Sequence, residues 1–69
     1  MLIRKRQPYF ELKGWLVENG IKQKQLAETL GIPQTSINHK LNGTGPDFTL
    51  KESRRLVEIY GIPASLFLQ

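Results

Sequence analysis

Sixty-nine residues make one domain, near the lower size limit for a core that holds without staples, and the lack of cysteine excludes disulfides and thiolate metal sites. Stability must therefore come from packed apolar side chains. Ten Lys and Arg against six Asp and Glu leave a net charge of +4, which suits a polyanionic partner but is also common in small domains that have none.

Residues 1–8 read as a basic N-terminal arm and residues 9–69 as the folded domain. The arm carries Arg4, Lys5 and Arg6 and ends at Pro8, which disfavours helix at Gln7 and is tolerated where the next helix starts. Two readings fit it: a solvated terminus, or an arm whose cations follow phosphates or enter a minor groove. Leu2 and Ile3 are apolar enough to pack somewhere. No apolar stretch follows the first cations as in a secretory signal, and no run approaches the ~20 apolar residues of a membrane span, so the expected compartment is the cytoplasm.

A first helix is predicted over residues 9–19, with Leu12, Trp15 and Leu16 facing inward and Glu11, Lys13 and Glu18 facing away. Asn19-Gly20 stops it, and Gly14 in its middle suggests close approach of another element. Tyr9 and Phe10 cannot both face one core. The second helix is expected from Gln23 to Leu30, with Leu26, Ala27 and Leu30 on one face. Lys22 holds its capping position yet cannot accept a hydrogen bond from the free amides. Its charge opposes the helix dipole unless an anion sits nearby, so Lys22 marks either a phosphate neighbour or a tolerated poor cap.

Gly31-Ile32-Pro33 turns the chain into a third helix, Gln34 to Leu41, anchored by Ile37 and polar at Gln34, Thr35, Asn38 and His39. Helix, short turn and helix with an outward polar face is the build of a helix-turn-helix reader, and equally that of any packed helix pair. Asn42-Gly43 closes the helix, and residues 42–48 form a loop. Thr49-x-x-Glu52 is a capping box for a fourth helix over residues 50–60, with Leu56, Val57 and Tyr60 inward and Lys51, Arg54 and Arg55 outward. Phe48 fills the core. A short fifth helix is expected over residues 62–67, with Leu66 and Phe67 closing the core. The expected fold is all-α.

Catalytic chemistry has no constellation here. The single His39 lacks a relay partner or a second metal-ligating His, Ser36, Ser53 and Ser65 lack a nucleophile-elbow context, and the glycines form no phosphate-cradling motif. No enzymatic role, catalytic residue, cofactor or small-molecule substrate is expected.

The run Gly20-Ile21-x-Gln23-x-x-Leu26-Ala27-x-x-Leu30-Gly31-Ile32, followed by Ser36-Ile37 and Lys40-Leu41-Asn42-Gly43, resembles the Cro and phage-repressor type of helix-turn-helix regulators, the XRE-like family. The stretch from Phe48-Thr49-Leu50-x-Glu52 through Tyr60-Gly61-Ile62 to Leu66-Phe67 is similar as well, so the likeness covers about residues 10–68. It implies a compact five-helix, lambda-repressor-like DNA-binding domain whose third helix enters the major groove. Position by position, it makes Gln34, Thr35 and His39 base-reading candidates, with Asn38 at the margin. Gln23, Ser36, Lys40, Asn42 and Thr44 become phosphate candidates beside Lys22. The loop at residues 43–47 departs from the family in lacking Lys or Arg, and Asp47 carries the opposite sign.

The resemblance is nearest to small temperate-phage or prophage proteins of the Cro kind. It implies a sequence-specific transcriptional regulator of a lytic/lysogenic switch, acting on double-stranded operator DNA in a bacterial host. A second implied role is an antirepressor, or modulator of repression, that binds a partner phage repressor through the same face or through Lys51, Arg54 and Arg55. A homodimer would have to use apolar groups such as Phe67, Leu68, Phe10 or Tyr9.

Overall fold

Four α-helices form where apolar residues recur at three- and four-residue spacing: α1 (Phe10–Glu18), α2 (Gln23–Leu30), α3 (Gln34–Asn42) and α4 (Leu50–Tyr60). The structure is a computed structural model and describes residues 7–68, among which there is no strand. The arm cations Arg4, Lys5 and Arg6, and the packing expected of Leu2 and Ile3, lie outside the described residues. The expected fifth helix is instead a single 3-10 turn, Ala64–Phe67. Its bonds run from the Leu66 amide to the Pro63 carbonyl and from the Leu68 amide to the Ser65 carbonyl, each spanning three residues and tightening the turn.

Helix ends follow local chemistry. Gly31 takes a left-handed conformation (φ 68°), and the Ile32 amide reaches back to the Ala27 carbonyl at 3.1 Å, so α2 stops and the chain turns within three residues. Gly43 does the same for α3, with the Thr44 amide on the His39 carbonyl at 3.1 Å. At the head of α4, the Glu52 amide donates to Thr49 Oγ1 (3.1 Å) and the Thr49 amide to Glu52 Oε1 (2.9 Å), which completes the capping box. α2 has only the reciprocal half: the Lys22 amide donates to Gln25 Oε1 at 2.8 Å, while the Lys22 side chain has nothing to accept with.

The core gathers Leu12 and Leu16 of α1, Leu26 and Ala27 of α2, Ile37 and Leu41 of α3, Leu56 of α4, and Tyr9 and Ile62 outside the helices. Trp15, Val57 and Tyr60 are half-buried at its margin. α2 packs on both α3 and α4, and the closing turn rests on α1 and α4. Between α2 and α4, Tyr60 donates to the Gln25 carbonyl (3.1 Å), its hydroxyl lies 2.7 Å from Thr29 Oγ1, and Arg55 Nε donates to the Thr29 carbonyl (3.3 Å).

Of the two aromatics before α1, Tyr9 is buried and Phe10 is 66% exposed. Tyr9 is therefore a core residue and is removed from the dimerisation candidates. Its ring meets Phe48 and Phe67 edge-on, with centroids 5.6 and 6.3 Å away, and Phe48 and Phe67 meet each other at 5.5 Å. Phe67 is half-buried in this triad, which leaves Phe10 and Leu68 as the exposed apolar groups of the dimerisation set.

Gly14 does not serve a close approach. It is exposed, and a Cβ added there meets nothing within 4 Å. With helical backbone and open space, Gly14→Ala should stabilise the domain by about 1 kcal/mol, read as a higher urea midpoint at constant slope.

Candidate nucleic-acid interface

α3 is held by one face and presents the other. Ile37, Lys40 and Leu41 turn inward, while Gln34, Thr35, Asn38 and His39 are exposed and Ser36 is half-buried. The i, i+4 spacing of a helix splits the exposed set into two flanks. Gln34 and Asn38 border a cleft of about 690 Å³ between the end of α1, the start of α2 and α3. Its apolar floor comes from Leu16, Ile21 and Leu41, with the exposed Val17 at the edge, and Lys13, Lys22, Gln23 and Asn42 complete the polar rim. Thr35 and His39 occupy the other flank. There His39 Nδ1 lies 2.7 Å from Thr44 Oγ1, a hydrogen bond whose direction depends on the ring tautomer.

Lys13 joins the rim unexpectedly. Its ammonium donates to Asn42 Oδ1, which brings a cation from α1 to the end of α3. Asn42 Nδ2 in turn donates to the Asn38 carbonyl at 2.8 Å, so Asn42 spends both ends of its amide within the protein. Sequence spacing had set Lys13 outward with Glu11, since it follows Leu12 directly. The only signal available was the polar side chain of Asn42 at the helix stop, and linking it to Lys13 needs the packing of α1 on α3.

Lys40 departs from its expected place among the phosphate contacts. It is 9% exposed, and its ammonium pairs with Glu52 Oε1 at 3.1 Å, donates to the Asp47 carbonyl at 3.1 Å and sits 5.8 Å from the Phe48 ring centroid. A cation so engaged ties α3 to α4 and does not face outward. Burial pushes the Glu52 carboxyl up, but the Thr49 amide, the Lys40 ammonium and the Thr49 hydroxyl outweigh it and hold the group below its ordinary range. Asp47 also works internally. Its carboxylate accepts from the Tyr9 hydroxyl (2.5 Å) and the Phe48 amide (2.7 Å), which accounts for an acid in a loop where the family often has a base.

On α4, Lys51, Arg54 and Arg55 are exposed beside Leu50 and Glu58 around a groove of about 500 Å³, and none of them borders the α3 cleft. Among the described residues no group of three His, Asp or Glu side chains is placed to hold a metal, and no helix is long and apolar enough to cross a membrane.

A family model described as helix-turn-helix matches residues 12–67, a span that includes α2, the Gly31 turn, α3 and α4. The chain belongs to the helix-turn-helix family. This helix-turn-helix domain is of the Cro/XRE type, a family of DNA-binding regulators, and its α2 and α3 form the two-helix unit. No curated protein and no solved structure matches the chain significantly. The even choice between a reading unit and an ordinary helix pair is thereby decided in favour of the unit.

Proposed function

We propose that this domain is a sequence-specific, Cro-like transcriptional regulator of a phage or prophage switch, with α3 laid in the major groove of operator DNA. The observation that carries the reading is the division of α3: its inward side chains are locked in the core and an ion pair, while its outward side chains are all polar. In this docking Gln34 is placed to bond adenine bidentately, the Thr35 methyl meets a thymine methyl, and Asn38 and His39 reach adjacent base edges. Lys22 and Gln23 approach phosphates on the α2 side, Lys13 adds a second cation to that rim, and Ser36 and Asn42 meet the backbone on the far side. The cations of the arm, Arg4, Lys5 and Arg6, extend the proposed contact to phosphates or a minor groove. Lys40 is left out of the contact set.

Fluorescence anisotropy with duplexes from the protein's own control region tests this. Affinity should fall linearly with the logarithm of salt concentration, and Gln34→Ala should cost ~1–3 kcal/mol on the preferred duplex while leaving random duplex unchanged. Affinity indifferent to both salt and Gln34→Ala overturns the reading.

A second role is supported by the cationic α4 face, which stands apart from the α3 cleft: binding to a partner phage repressor as an antirepressor. Co-elution with that repressor on size exclusion, lost in an Arg54→Glu variant, is the expected result. No complex at micromolar concentration counts against it.

A further inference from the structure

We propose that Thr44 is a positioning residue that fixes the His39 imidazole as an outward Nε2–H donor, making the pair an element that selects against cytosine; this rests on α3 being the DNA-reading helix. Three features converge on the ring. Thr44 Oγ1 lies 2.7 Å from Nδ1, and the Thr44 amide donates to the His39 carbonyl at 3.1 Å, so hydroxyl and ring are joined by a backbone clamp as well as a side-chain bond. On the neighbouring side, a Cβ on Gly45 would come to 3.0 Å from His39 Cβ and 3.6 Å from Cγ, so a larger residue there crowds the base of the His39 side chain.

An exposed side chain ordered before binding loses less freedom when it meets its target. Either direction of this bond fits the 2.7 Å separation, and the proposed one has the Thr44 hydroxyl as donor. With the Thr44 hydroxyl donating to Nδ1, the ring proton resides on Nε2, which then points a donor at the groove. A donor there matches N7 and O6 of guanine, N7 of adenine or O4 of thymine, and is opposed at cytosine, which offers only the N4 amino donor. The hydroxyl is thereby engaged within the protein, a different task from the phosphate contact that its place in the family motif implies.

Two measurements on the whole chain separate the parts. Nitrogen-15 NMR of the imidazole in the free protein should show the Nε2–H tautomer, with Thr44→Val moving it toward a mixture and Thr44→Ser retaining it. Selection from a randomised duplex library should deplete cytosine at one position of the contacted strand, a depletion that Thr44→Val weakens about tenfold and Thr44→Ser restores, with an unchanged salt slope. A wild-type Nδ1–H tautomer, or a spectrum unaffected by Thr44→Val, overturns the clamp. Affinity lost uniformly across duplexes, with a salt slope smaller by about one, makes Thr44 a phosphate contact and overturns the proposal. Failure of the wild type to enrich any sequence overturns the DNA-reading assignment itself, while the spectrum of the free protein still judges the clamp.

Discussion

Ile37→Ala is expected to remove about 2–5 kcal/mol of stability, because it empties space beneath α3 that neighbouring side chains fill only in part. Ile37 is fully buried at the point where α3 packs on α2. A domain of this size holds only about 3–10 kcal/mol in total, so the variant should be largely unfolded or close to it at 37 °C. Urea denaturation followed by circular dichroism measures the loss. DNA affinity should vanish together with the folded signal, in contrast to Gln34→Ala, which should lower affinity with its unfolding midpoint unchanged. A stable Ile37→Ala protein would mean that α3 is held mainly by its polar contacts.

The second large effect is expected at Lys40. Lys40→Ala should cost about 2 kcal/mol or more, short of the ~3–5 kcal/mol of a fully buried pair because the Glu52 side chain keeps 20% of its exposure. The loss combines the ion pair, the bond to the Asp47 carbonyl and the aliphatic stem packed toward Phe48. Lys40→Met retains most of the stem and should recover part of the stability, which separates packing from charge. The pH dependence follows from the sign of the Glu52 shift. A carboxyl held below its ordinary value of 4.5 contributes stability that is fully present above that value and is lost as pH falls through the folded value. Acid titration of the unfolding midpoint should therefore decline more shallowly below pH 4.5 in Lys40→Ala than in the wild type, with the Thr49 cap supplying what remains.

Helix positions were legible in the sequence because their stop signals are properties of single residues. Gly20, Gly31, Gly43 and Gly61 all take positive φ, and the four helices they follow begin and end within one residue of the spacing-based expectation. The capping box at Thr49 and Glu52 was readable for the same reason. Side chains that answer to distant partners were not readable. Lys40 sits one position from Leu41 at the edge of the buried face, and its direction is decided by Glu52, which lies across the loop and on another helix. Lys13 is decided by Asn42, and Asp47 by Tyr9. The closing segment looked helical because its apolar residues are suitably spaced, yet four residues after Pro63 close only bonds that span three.

The split of α3 into a locked side and a presented side has an evolutionary consequence. Gln34, Thr35 and Asn38 are exposed, so exchanges there should have little effect on folding and, in the proposed docking, would alter what is recognised. Ile37, Lys40 and Leu41 are bound to partners on other elements and must change together with them or not at all. Under the proposed docking, a lineage carrying this fold could move between target sequences by single steps, each step leaving a stable intermediate.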